Sequence, residues 1–168
     1  MPFQTERTMK NAILLLFLTF VSCNSQSKSD NQNDPIVNVS AEDIEMNKAI
    51  QTAKNTLKDF NNALILKNAN FNSFALKVKF EDGEDVEHVW LSYIEKRNGE
   101  FFGVVDNLPE KITNLKLGDT IKIEKSKITD WMFLEKTKLN GGFTIRVLRN
   151  RMNEAEKKKF DSECGFEF

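Results

Sequence analysis

The chain has 168 residues with 24 basic and 25 acidic side chains, one histidine and two cysteines. A formal charge of −1 without a basic stripe excludes an electrostatic footprint for nucleic acid, and it stays near balance at −2 once Arg7, Lys10 and Glu6 of the first 23 residues are set aside. One histidine and the distant thiols Cys23 and Cys164 are too few for a Cys/His zinc set, and the spacing of acids and glycines calls for neither metal nor cofactor.

The apolar run from Ala12 to Val21 is too short to cross a bilayer, which takes roughly 20 residues, and it follows the positive Lys10 as the core of an export signal does. Met9 reads as the natural start. "FVSC" at Phe20 to Cys23 resembles the lipobox of bacterial lipoproteins. The resemblance implies a signal peptide over residues 1–22, removal before Cys23, and acylation of that cysteine; a plain secretory signal and an uncleaved anchor are the alternatives. Asn24 to Asp34 holds no apolar residue and reads as a flexible tether over residues 23–38, its polar part reaching about 18 Å as a coil. These features predict a cell-envelope protein held to a membrane through lipidated Cys23.

The remainder, residues 39–168, is the size of one domain. Ser40 and Asp43 suit the start of a helix, and Ile50, Ala53, Leu57, Phe60 and Leu64 recur at helical steps over Ala41 to Leu66. The period then changes to two. Phe74, Leu76, Val78 and Phe80 mark a strand ending at "EDGED", and "VEHVWLSYIEKRNGEFFGVV" reads as two strands joined by a type I′ turn at Asn98-Gly99. "LKLGDTIKIE" turns at Gly118-Asp119 into a further strand. "KITDWMFLE" and "GGFTIRVLR" read as a last strand pair, Arg149 to Phe160 as a short helix, and the tail around Cys164 as frayed. The predicted class is α+β: a long N-terminal helix on an antiparallel sheet of five or six sequential strands, with a short C-terminal helix.

Five blocks, "EHVWLSYI", "FFGVVDNLP", "LKLGDTIKI", "ITDWMF" and "GGFTIRVL", resemble in order and spacing the YegJ-like family of bacterial domains of unknown function, over residues 74–148. The resemblance implies no assigned activity and hands down no catalytic residue. Some members are small exported or lipid-anchored proteins, in keeping with the signal.

Strand alternation puts Val86, His88, Trp90, Ser92 and Ile94 on one face and Glu87, Val89, Leu91 and Tyr93 on the other. His88 is either a general base, a binding contact or a hydrogen-bonded structural residue. Asp130 alternates with Ile128 and Met132, so its carboxylate points to the apolar side and needs a partner such as Arg146 or backbone N–H groups. The functional reading joins His88, Trp90, Asn107, Asp130, Trp131 and Arg146 in one aromatic-walled binding surface; Tyr93 falls on the opposite face from Trp90. The expected function is a non-enzymatic binding or interaction domain for an unknown protein or small-molecule ligand. The alternatives are an envelope hydrolase with His88 and Asp130 as its acid/base pair and an immunity-type inhibitor of a toxin.

Overall fold

The computed structural model of the chain describes residues 36–107 and 109–168, with side chains from residue 44 onward. Cys23 and the expected signal, and the side chains of Ser40 and Asp43, lie outside what is described. The first element, α1 (Ile36–Leu66), opens directly after Pro35 in the sequence, where proline favours a helix start, rather than at Ala41; it takes in the last residues assigned to the tether.

After α1 come β1 (Phe71–Asp82), β2 (Asp85–Arg97), β3 (Glu100–Val105), β4 (Thr120–Ile123), β5 (Ile128–Glu135) and β6 (Lys138–Gly141), then α2 (Phe143–Arg151) and α3 (Glu154–Glu163). The strands form one antiparallel sheet in the order β4-β3-β2-β1-β5-β6. The α+β class is as the sequence indicates.

Local chemistry sets the turns. Asn98 and Gly99 both take positive φ, 50° and 84°, which the β2–β3 hairpin requires. β2 carries a bulge between Ser92 and Glu95, where Tyr93 sits in the left-handed region at φ 49°. The extra residue moves Ile94 to the face of Val89 and Leu91, and all three enter the main core. Strict alternation therefore misplaces Ile94, while Tyr93 is 73% exposed at the kink.

The main core lies between α1 and one sheet face. Ala53, Phe60 and Ala63 of α1 meet Leu76, Leu91, Trp131 and their neighbours, with Leu57 and Leu64 at the margin. The Trp131 indole N–H donates to Ala53 O at 3.0 Å and to Thr56 Oγ1 at 3.2 Å, so the small Ala53 lets the indole reach the helix backbone. A second apolar cluster covers part of the other face: Ala75, Trp90, Met132, Leu134 and Leu139 of the sheet with Ile145, Cys164 and Phe166.

Two expectations near the C-terminus are corrected. "GGFTIRVLR" is not a strand beyond Gly141, because Gly141 and Gly142 both adopt left-handed φ, 73° and 63°, and turn the chain out of the ladder into α2. The tail is not frayed. Cys164 and Phe166 are buried, and Glu167 lies along the free edge of β6, with Leu139 N donating to Glu167 O at 2.7 Å and Glu167 N to Thr137 O at 2.8 Å.

Candidate functional site

Register builds the site on the face of the sheet away from α1. Lys77 of β1 stands opposite Trp90 of β2 on one side and Asp130 of β5 on the other, and Lys79 stands opposite His88. These side chains therefore share a face with the second apolar cluster. That cluster takes Trp90 from β2 and draws nothing from β3 or β4, so the face beyond Trp90 stays uncovered: Phe102 and Val104 are half-exposed, and His88 is exposed.

Asp130 is fully buried and caps α2 from outside the helix. Its Oδ1 accepts from Trp131 N at 2.8 Å and Phe143 N at 3.2 Å; its Oδ2 accepts from Thr144 N at 2.8 Å and Thr144 Oγ1 at 2.7 Å. The local N-cap, Gly142, has no side chain for this, so the carboxylate satisfies the first N–H groups of α2 in its place. Burial pushes the Asp130 carboxyl above the usual carboxylate range, against the lowering pull of those hydrogen bonds and of Lys77.

Lys77 is half-buried. Its ammonium lies 5.8 Å from the centroid of the Trp90 ring and 3.4 Å from Thr144 Oγ1. Burial holds it below an ordinary lysine, partly offset by Asp130. His88 lodges one edge of its ring against the sheet, with Nδ1 2.9 Å from the buried Thr129 Oγ1, and leaves the rest exposed. Its pKa is lowered by burial of that edge and by the charges of Lys77 and Lys79.

The structure thus brings His88, Trp90 and Asp130 to one face and separates the other three expected members. Trp131 follows Asp130 in the strand and so points the opposite way, into the main core. Arg146 belongs to α2, where Nε donates to Gly141 O at 3.0 Å and Nη2 to Leu139 O at 2.9 Å; Asp130 takes backbone N–H groups as partners instead. Asn107 lies in the loop after β3, with Oδ1 shielded from solvent and no donor for it among the described residues. That loop is pinned by Glu87, whose carboxylate accepts from Glu110 N and Lys111 N at 3.0 Å. Trp90 and Trp131 therefore line no common pocket.

Lys77, Thr129 and Thr144 are the members that sequence reasoning missed. Lys77 looks like any outward lysine of a half-exposed strand, and only the pairing with Trp90 and Asp130 shows where it points. Among the described residues no three His, Cys, Asp or Glu side chains are grouped to hold a metal ion, and no helix is long and apolar enough to cross a membrane.

A six-stranded antiparallel sheet, one long helix on one face and a half-covered second face define the class as a small α+β domain whose ordered polar cluster supports the fold. The chain belongs to the bacterial family described as "Uncharacterized protein conserved in bacteria (DUF2314)", whose model matches residues 43–168. It is similar to the uncharacterized protein YegJ of Escherichia coli K12, 34% identical over 140 residues that cover 83% of this chain and 88% of that one. It is also 34% identical over 134 residues, 75% of its length, to a Neisseria meningitidis serogroup B protein bearing an ankyrin-repeat name, of which the match spans 53%. No solved structure matches significantly.

Proposed function

We propose that this protein is a lipid-anchored, non-enzymatic binding domain of the cell envelope, tethered through Cys23 and presenting the open half of its second sheet face. The observation that carries the non-enzymatic reading is the allocation of hydrogen bonds. An acid/base pair needs its members within reach of one another or of a shared proton. Asp130 spends both oxygens on α2 and Trp131, while His88 binds Thr129. The anchor is supported by the lipobox-like "FVSC" and the polar segment after it.

Two measurements test the two parts. In a bacterial host, metabolic labelling with an alkyne fatty acid should tag the wild type and not Cys23→Ser, and Cys23→Ser should leave the membrane fraction; a variant that still sediments with membranes refutes the anchor. Against p-nitrophenyl esters and anilides the purified chain should show no turnover that depends on His88. Hydrolysis abolished by His88→Gln would establish the enzyme instead.

A further inference from the structure

We infer that Lys77 and His88 together form an oxyanion site at the border between the covered and uncovered halves of the second face, which takes a carboxylate or a tetrahedral oxyanion of the bound ligand. This rests on the binding-domain reading and names the chemistry of what is bound.

Donors and acceptors around Lys77 do not balance. A carboxylate offers about four lone-pair sites, and Asp130 uses two on each oxygen, all directed at α2 and Trp131. Its charge lies near Lys77, but its hydrogen-bonding capacity is filled. The Thr144 hydroxyl hydrogen is likewise committed to Asp130, so Lys77 finds there one acceptor, at 3.4 Å. Three donors and one long bond among the described residues leave the ammonium short of acceptors beside the apolar Trp90 ring.

His88 lies on the same side. Thr129 Oγ1 donates to Lys77 O at 3.3 Å, so toward His88 it acts as acceptor and fixes the proton on Nδ1. Nε2 of the exposed ring stays uncommitted, an acceptor when the ring is neutral and a donor when it is charged. Trp90 is directly opposite Lys77, which makes His88 its diagonal neighbour, about 7–8 Å away between backbones and within the reach of a lysine side chain. An oxyanion placed between the two side chains would meet both donors.

The surrounding charges leave this pair available. Lys79 is taken by Glu81 at 2.5 Å, and the Arg146 guanidinium is turned to the carbonyls of Gly141 and Leu139. Asp130 is the one carboxylate facing Lys77 from β5, and its presence selects against bulky polyanions that would crowd it. Burial lowers the pKa of both groups; the charges of Lys77 and Lys79 lower that of His88 further, whereas Asp130 partly offsets the shift of Lys77. By linkage, an oxyanion that binds the charged imidazole better than the neutral one raises the His88 pKa, and its own affinity rises as pH falls.

His88 is the sole histidine, so its ring resonances need no sorting. The full chain in detergent micelles is titrated by NMR in sodium sulfate, sodium formate and sodium chloride at matched ionic strength. The expected result is a His88 pKa about 0.5 higher in sulfate than in chloride, retained in Lys79→Met and Lys77→Arg and lost in Lys77→Met. A rise in formate as well identifies a general oxyanion site, whereas a rise in sulfate alone restricts it to tetrahedral dianions. Equal values in all three salts overturn the site, and so does a sulfate shift that survives in Lys77→Met. The wild-type titration decides this even if Lys77→Met fails to fold. Failure here leaves the binding-domain reading standing, since that reading falls through His88-dependent hydrolysis.

Discussion

Replacing Asp130 by Ala removes four acceptor contacts, three from the start of α2 and one from Trp131 N of β5. Losing an N-terminal cap costs about 1 kcal/mol. Thr144 N, in a residue only 1% exposed, is then left without a partner, for a further cost of about 1–3 kcal/mol. Against this stands the burial of the carboxylate, which is an expense in the folded state because burial raises its pKa. The net expectation for Asp130→Ala is about 3 kcal/mol lost, or roughly 6–12 °C in Tm for a domain of this size. Asp130→Asn keeps the volume, keeps one acceptor oxygen for Trp131 N and Phe143 N, and gives up the buried charge; about 1–2 kcal/mol is expected. Urea titrations of the full chain followed by tryptophan fluorescence measure both, with slopes unchanged if only stability moves. Asp130→Ala within about 1 kcal/mol of wild type refutes the capping account, and Asn as costly as Ala would show that the charge facing Lys77, rather than the acceptor geometry, holds the site together.

Gly141→Ala should be destabilised by about 3 kcal/mol, because φ is 73° and a Cβ would overlap the Trp131 carbonyl oxygen and lie 2.5 Å from its Cε3; urea midpoints check this. Phe166→Ala should cost about 2–3 kcal/mol and expose the amide of Leu139 to hydrogen exchange, since Phe166 sits in the second cluster and anchors the tail segment to which Leu139 donates; unchanged protection would show that the tail packs by other means. The lowered pKa of His88 gives a signed pH dependence. Its contribution is complete above the ordinary histidine value and is lost as pH falls through the folded one, so the wild type should lose stability below that ordinary value more steeply than His88→Gln. Parallel profiles for the two proteins would dismiss the assignment.

Much of the architecture is legible because its signals are local and repeated. The helical recurrence through Ala53, Phe60 and Leu64, the Asn98-Gly99 turn and the alternating strand at Phe74 to Phe80 each follow from short-range sterics. Two kinds of information are not local. A single left-handed residue, Tyr93, reverses the facing of Ile94 without any glycine to announce it. In "GGFTIRVLR" the helical residues Phe143 to Val147 happen to alternate apolar and polar, and what decides the helix is a carboxylate thirteen positions earlier, donated to by Phe143 N. The inward direction of Asp130 and its need for N–H partners are legible from alternation. The same rule, applied to the adjacent Trp131, places it on the other face from Asp130, so the surface joining the two was geometrically divided from the outset.

The diversion at Gly141 also accounts for the open face. β5 is buried for nearly its whole length, yet β6 pairs only with its last four residues, Met132 to Glu135. Beside the first half of β5 the chain cannot continue as a strand, because the αL pair at Gly141-Gly142 turns it and Asp130 offers the emerging N–H groups better acceptors than a ladder would. α2 therefore starts at the sheet edge, where its Phe143 reaches Trp131 on one side at 5.5 Å between ring centroids and its Ile145 enters the second cluster on the other. From there α3 and the tail return over β5 and β6 and end at Glu167 on the β6 edge. The second cluster, as described, therefore takes no residue from β3 or β4. Lys77 and His88 thus stand at the border between the covered and uncovered halves: close enough to Trp90 for burial to weaken their charges, and open enough for a ligand to restore them.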